Sequence, residues 1–175
     1  MRIFILFLGL IALAVGADAR VLAKGPTGFA VEHQVGLAVE PKAAYDAFLK
    51  IGSWWSSAHS FSGDAKNISI DAKPGGCWCE TLPDGGFVKH MELAQAAPGA
   101  RLVFSGGLGP LSFMGVAGSM TVKFAATKTG ATVVTLNYDV GGRDSESFEK
   151  LAGAVDGVLA EQLARYRNFA TTGKP

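Results

Sequence analysis

Glu80 and His90 are the residues best placed for acid–base work. They fall on the two arms of a hairpin, residues 76–82 and 87–96, around the turn Pro83-Asp84-Gly85-Gly86. A four-residue turn sets Glu80 opposite Lys89, and a three-residue turn sets it opposite Val88. Either way His90 is within diagonal reach if both side chains face one side. A carboxylate beside an imidazole raises the imidazole pKa and fixes its tautomer. Such a pair could orient a carbonyl or move a proton in an apolar cavity, as a catalytic pair would. The plainer reading is a structural pair on the outer face of the sheet.

Cys77 and Cys79 lie two apart on the first arm, so both point to one face. With His90 they would make three soft metal ligands. The chain has no second C-x-C and no histidine cluster, so neither a metal nor a cofactor is expected. A disulfide between them looks geometrically poor. An i,i+2 pair in an extended strand holds its Cα atoms roughly 6.5 Å apart, at the long edge of what the bond tolerates. Two thiols acting as small apolar side chains is the expectation. The sequence carries no G-x-S-x-G, no H-E-x-x-H and no dinucleotide fingerprint. Gly106-Gly107-Leu108-Gly109-Pro110 lacks the Lys-Ser/Thr ending of a phosphate loop and reads instead as a loop at a cavity mouth.

Apolar contact is the other chemistry on offer. Trp54 and Trp55 could floor a ligand cavity, since rings give large contact area at low entropy cost; equally, one could pack under the sheet and the other cap an edge. Phe113 and Met114, just after the glycine-rich loop, read as a lid or as edge packing. Phe148, Leu151, Ala152, Val155, Val158, Leu159 and Leu163 form one helical stripe, with Glu161, Arg165 and Arg167 off it. That stripe is core by default.

These residues need elements to carry them. Residues 29–39 alternate, with Val31, His33, Val35, Leu37 and Val39 on one side, which predicts a strand. Pro41 opens a short helix ended by Gly52, and Ser53-Trp54-Trp55 falls on a second short turn. Strands follow over 68–71, 76–82, 87–96, 101–105, 119–126 and 132–140, the last helped by four consecutive β-branched residues, Thr132 to Thr135. Ser145 reads as the N-cap of one long final helix. Residues 20–27 read as a loose lead-in. The order is α+β: an antiparallel sheet of about seven strands with helices to one side. A strongly curved sheet wrapped around one long helix leaves a gap where a ligand would fit.

The first residues read as an address. Arg2 precedes an apolar run of thirteen residues, Ile3 to Val15, and Ala17-Asp18-Ala19 suits a signal peptidase. That run is well short of the roughly 20 residues a membrane span needs. Residues 1–19 are therefore expected to be a cleaved signal peptide, with a cut after Ala17 as the alternative, and residues 20–175 a single exported domain. Losing Arg2 and Asp18 leaves the net charge at +1. Neither a nucleic-acid nor a membrane-surface partner is expected, because both need a clustered basic face.

Several runs, in this order, carry a resemblance. They are Trp54-Trp55 with His59, Ser62-Gly63-Asp64, Gly75-Gly76-Cys77-Trp78-Cys79-Glu80, His90 after the hairpin, Gly107-Leu108-Gly109-Pro110-Leu111 before a strand led by Gly118, and Tyr138-Asp139-Val140-Gly141-Gly142. Together they resemble the START-like helix-grip superfamily, SRPBCC, and within it exported bacterial proteins of the polyketide cyclase or Hsp90-activator-like type. The resemblance implies a sheet gripping a long C-terminal helix, with two short helices after the first strand. It also implies a cavity, toward which Trp54, Trp55, Phe113, Met114, Tyr138, Phe148, Val155 and Leu159 are the ligand-binding candidates. The superfamily includes carriers, cyclases, dehydratases and co-chaperone domains. Two functions stay open: a periplasmic or secreted, monomeric binder of a small hydrophobic molecule, and a cyclase- or lyase-like enzyme using Glu80 and His90. A co-chaperone role fits an exported chain poorly.

Overall fold

The computed structural model describes residues 18–143 and 148–175; the apolar leader run and the Ser145 cap lie outside the described residues. The elements run β1 (Asp18–Gly25), β2 (Gly28–Leu37), α1 (Pro41–Leu49), β3 (Ile68–Ile70), β4 (Cys77–Thr81), β5 (Phe87–Ala97), β6 (Arg101–Ser105), β7 (Val116–Ala126), β8 (Thr132–Gly142) and α2 (Phe148–Thr172). All eight strands form one antiparallel sheet in the order β1-β2-β8-β7-β6-β5-β4-β3. The sheet curls around α2, and the architecture is a helix-grip fold.

The sheet has eight strands where about seven are expected, and the additional one is β1. Residues 20–27 are not a loose lead-in: β1 pairs with β2 from Asp18↔Gln34 to Gly25↔Gly28. Its side chains are almost all exposed, so it has no inward apolar alternation to betray it. Main-chain pairing and the Arg20–Glu32 ion pair, 2.6 Å, hold it as an edge strand. The two expected short helices are one true helix, α1, and a run of single 3₁₀ turns, Ile51–Ser53, Ser57–His59 and Ala65–Asn67.

Where the sequence alternates, the sheet obeys it. Phe29, Val31, His33, Val35 and Leu37 of β2 are buried and their neighbours are not. In α1, Pro41 occupies the first turn, and Ala44, Tyr45 and Phe48 turn inward. Each fully buried aromatic or aliphatic side chain of this kind stabilises the fold by roughly 1.5–3 kcal/mol before entropy is counted. Along α2, Phe148, Ala152, Leu159 and Leu163 are buried, while Leu151, Val155 and Val158 are only half-buried. The stripe therefore splits between core and something less filled.

Pairing register shifts at three places, within β1, in the β4–β5 hairpin and between β5 and β6, and the hairpin shift is the one that shapes the site. Trp78 pairs with Met91 but Cys79 pairs with Lys89, so His90 is the extra residue of a β-bulge. A bulge re-aims side chains. Here it turns both His90 and Met91 inward, two neighbours that a regular strand would send to opposite faces. Glu80 pairs with Val88, the register of a three-residue turn, and Leu82 N–H donates to Gly86 O at 2.9 Å to close it.

The same irregularity overturns the expectation of free thiols. Cys77 and Cys79 form a disulfide, with Cα atoms 5.2 Å apart. A strongly twisted strand is shorter than a flat one, and a bulge adds local twist. The spacing thus falls well inside the range a disulfide spans. Both cysteines are half-buried, on the face opposite Trp78 and Glu80. The folded protein should therefore weigh two hydrogens less than its dithiol form, and gain them on reduction without any intermolecular species. Two alkylatable thiols in the native, unreduced protein would contradict this pairing.

Candidate functional site

A cavity of about 340 Å³ opens between α2, the turn region around Trp55–Phe61 and the loop Leu108–Leu111. That volume is at the lower end of small-molecule sites. Its helix wall is the half-buried part of the stripe, Leu151, Val155 and Val158, together with the buried Leu159. Trp55 forms the floor and Phe61 closes one side. Polar groups are few, with His59 and Ser60 at the rim.

The wall positions are set by hydrogen bonds from α2. Gln162, 1% exposed, accepts from Ser56 N–H at 2.8 Å. Arg165 donates through Nε to Trp54 O at 2.9 Å. Tyr166 donates to Ala44 O at 2.7 Å, and His59 Nε2 meets Glu161 Oε2 at 3.0 Å. Residues 161, 162, 165 and 166 thus fasten the C-terminal half of α2 to the segment following β2. An unpaired buried amide in place of the Ser56 bond would cost about 1–3 kcal/mol. Glu161 is held below its ordinary value, first by His59 and then by Ser56.

Of the sequence-derived ligand candidates, Trp55, Val155 and Leu159 line the cavity. The others stand elsewhere. Trp54 is buried between the rings of Phe48, 5.2 Å, and Tyr166, 5.3 Å. The adjacent tryptophans divide the work: Trp54 packs as core, while Trp55 spans from the cavity to an edge contact with Trp78 at 5.5 Å. Phe148 packs on Phe29. Met114 is half-buried against the core. Phe113 is 70% exposed and meets only the outer side of this region, edge-on to Phe61 at 5.7 Å. Tyr138 touches the site through a loop. Its hydroxyl accepts from Leu108 N–H at 2.9 Å and donates to Gly106 O at 3.1 Å. Burial pushes this phenol up to about 12, against a smaller downward pull from the Leu108 bond. Gly118 leaves room for the ring, since a Cβ there would sit 2.9 Å from the tyrosine hydroxyl.

Sequence reasoning missed Phe61, Ala58 and Ala154, which line the wall. Phe61 lies in a polar stretch, and nothing in its neighbours' pattern marks it. Ala154 lies beside the stripe and becomes wall only because the sheet stands off from it.

Glu80 and His90 do come together. Both are buried, at 0% and 4% exposure, and His90 Nε2 lies 3.1 Å from Glu80 Oε2. Ser62 N–H donates to the other carboxylate oxygen at 2.5 Å. Neither residue lines the cavity. Phe61 stands next to the pair: its ring stacks on His90, centroids 5.8 Å apart and planes 25° apart, and it also lines the cavity. Burial lowers the His90 pKa below 6.5, against the pull of Glu80. Burial alone would raise Glu80. Hydrogen bonds from Ser62, the Phe61 backbone and His90 outweigh it and hold the carboxyl below 4.5. The pair is thus a carboxylate and a neutral imidazole. His33, 2% exposed, is likewise held below 6.5 by burial. Its Nε2 lies 3.0 Å from Asp156 Oδ1 but off the line a hydrogen bond needs. Among the described residues no three His, Cys, Asp or Glu side chains gather into a metal-binding group.

No family profile matches the sequence, and no curated protein does either. Solved structures do. A conserved protein of unknown function from Enterococcus faecalis superposes with a TM-score of 0.61 at 12% identity, over 93% of this chain and 81% of that one. CalU16 from Micromonospora echinospora gives 0.60 at 11% identity, over 91% and 86%. DynU16, a protein of the dynemicin biosynthetic locus, gives 0.57 at 17% identity, over 83% of this chain and 48% of that longer one. Likeness at such identities shows the helix-grip fold alone.

Both buried histidines shape acid stability. Their folded pKa values lie below 6.5, so the unfolded chain binds protons that the folded chain refuses. Stability should fall as pH drops below 6.5, by up to about 1.4 kcal/mol per pH unit for each histidine, until the folded pKa is reached. Glu80, whose folded pKa is also depressed, stabilises above 4.5 and adds a further loss below it. Urea midpoints measured between about pH 7 and pH 5 should drop, and His33→Gln should lessen the slope. A flat profile would show that these histidines titrate normally.

Proposed function

We propose that the chain is an exported SRPBCC-type domain that binds a small hydrophobic molecule in the cavity between α2 and the Trp55–Phe61 region. The observation carrying this reading is the half-filled helix stripe. Leu151, Val155 and Val158 face a cavity rather than sheet side chains. Leaving apolar wall unpaired forfeits dispersion contacts, and a bound apolar molecule restores them. DynU16 belongs to a biosynthetic locus, and small-molecule handling suits a chain that shares its fold. A cyclase- or lyase-like reading needs Glu80 and His90 in the cavity wall. Phe61 covers that approach, so the geometry favours binding over catalysis.

Val155→Trp should fill the cavity and abolish uptake of the apolar fluorophore ANS, with a change in stability of no more than about 1–3 kcal/mol. The readouts are ANS fluorescence and urea unfolding of the same preparation. Unfolding of the variant, or ANS binding that matches wild type, would remove the support this cavity lends. Native mass spectrometry of protein purified from its own host identifies the resident molecule.

Export rests on the leader run Ile3 to Val15 and the small residues up to Ala19. The Cys77–Cys79 bond supports it, because disulfides persist mainly in oxidising compartments. Cleavage after Ala19 leaves Arg20 as the first residue, still able to pair with Glu32. N-terminal sequencing of the exported protein should begin at Arg20; a retained Met1 would contradict the reading.

A further inference from the structure

His90 Nδ1 is buried and has no hydrogen-bond partner among the described residues. Such an atom is costly, by about 1–3 kcal/mol, and calls for a reason. The other ring nitrogen faces a carboxylate that can only accept, so Nε2 carries the proton and Nδ1 presents a lone pair. Glu80 cannot turn away, because Ser62 N–H holds its second oxygen. The pair therefore displays one fixed acceptor. Two elements next to the cavity touch His90. Phe61 stacks on the imidazole and also forms cavity wall. Gly106, which leads into the Leu108–Leu111 wall, lies against the backbone of His90 and Met91: a Cβ on it would come within 3.2 Å of His90 O. Phe61 is 46% exposed, and among the described residues its other aromatic neighbour is Phe113, itself 70% exposed. Exposed side chains change rotamer on the picosecond to nanosecond scale.

We infer that Phe61 divides one continuous site into an apolar chamber and a polar recess, and that the ligand is an apolar molecule bearing a hydroxyl, phenolic or enolic, which donates to His90 Nδ1 when the Phe61 ring turns aside. This rests on the cavity-binding reading above and adds the chemical class of the ligand. No proton needs to be transferred: the carboxylate fixes the tautomer, the tautomer selects a donor, and the apolar chamber takes the rest of the molecule.

The selection can be inverted by design. In Glu80→Gln the Ser62 N–H keeps the amide oxygen on its side, leaving the amide N–H₂ to face His90 Nε2. That nitrogen must then accept, which moves the ring proton to Nδ1. The recess becomes a donor and should prefer a carbonyl.

The test is displacement of ANS from the mature protein by naphthalene, 1-naphthol and 1-tetralone, three molecules of similar size. In wild type, 1-naphthol should bind about tenfold more tightly than naphthalene, the equivalent of one hydrogen bond to an otherwise unpaired acceptor. 1-Tetralone should gain nothing over naphthalene. In Glu80→Gln the tetralone should gain and the naphthol lose. Equal displacement by naphthalene and naphthol in wild type overturns the inference while the cavity reading stands. Failure of ANS and all three molecules to bind overturns both. If Glu80→Gln does not fold, the wild-type ¹⁵N spectrum decides. The pyridine-like His90 Nδ1 signal, assigned among three histidines, should move on adding 1-naphthol and not naphthalene; an unmoved signal overturns the inference.

Discussion

The site depends on the polar seam between α2 and the segment that follows β2. Gln162 to Ser56, Arg165 to Trp54, Tyr166 to Ala44 and Glu161 to His59 fasten one half of the helix. Hydrophobic burial is non-directional and would draw the helix onto the sheet wherever contact is greatest. Hydrogen bonds to backbone groups have fixed length and direction. They hold the helix where Leu151, Val155 and Val158 of its N-terminal half stand over a gap. The cavity is thus the consequence of a polar constraint acting on an apolar helix.

A second constraint acts at the other end of the cavity. The extra residue of β5 opposite β4 shifts the pairing register, and with that shift His90 lies inward beside Glu80 while Met91 keeps its place in the core. On the opposite face, Cys77 and Cys79 lie close enough to bond. The disulfide closes a very short loop, so by chain entropy alone it limits the unfolded chain little. It staples the strand segment that carries Glu80, next to the place where the ladder is interrupted.

Tyr138 shows how a core residue shapes a cavity it does not line. Its hydroxyl is the one polar group on a buried ring, and both its bonds go to the loop at the cavity mouth. The ring needs the space left by Gly118. A glycine in β7, a tyrosine in β8 and the loop after β6 therefore form one unit. The loop's glycines permit its path, while the tyrosine selects it.

The amino-acid sequence by itself determined the α+β class, the inward face of β2, the apolar stripe of α2 and the hairpin at 83–86, and it placed Glu80 and His90 within reach on the condition that both face one side. These follow from periodicity and turn chemistry, which are local. Only the tertiary structure decided that β1 is a strand, since its exposed side chains carry no pattern and its energy is main-chain pairing. It alone decided that Cys77 and Cys79 bond, because the spacing of two cysteines along a strand depends on twist contributed by the partner strand. It alone separated Trp54, packed under α1, from Trp55, facing the cavity, and put Phe61 across the approach to His90. Which apolar residue becomes wall and which becomes core is settled by where a neighbouring element stops, and that distance is not written in either element's own sequence.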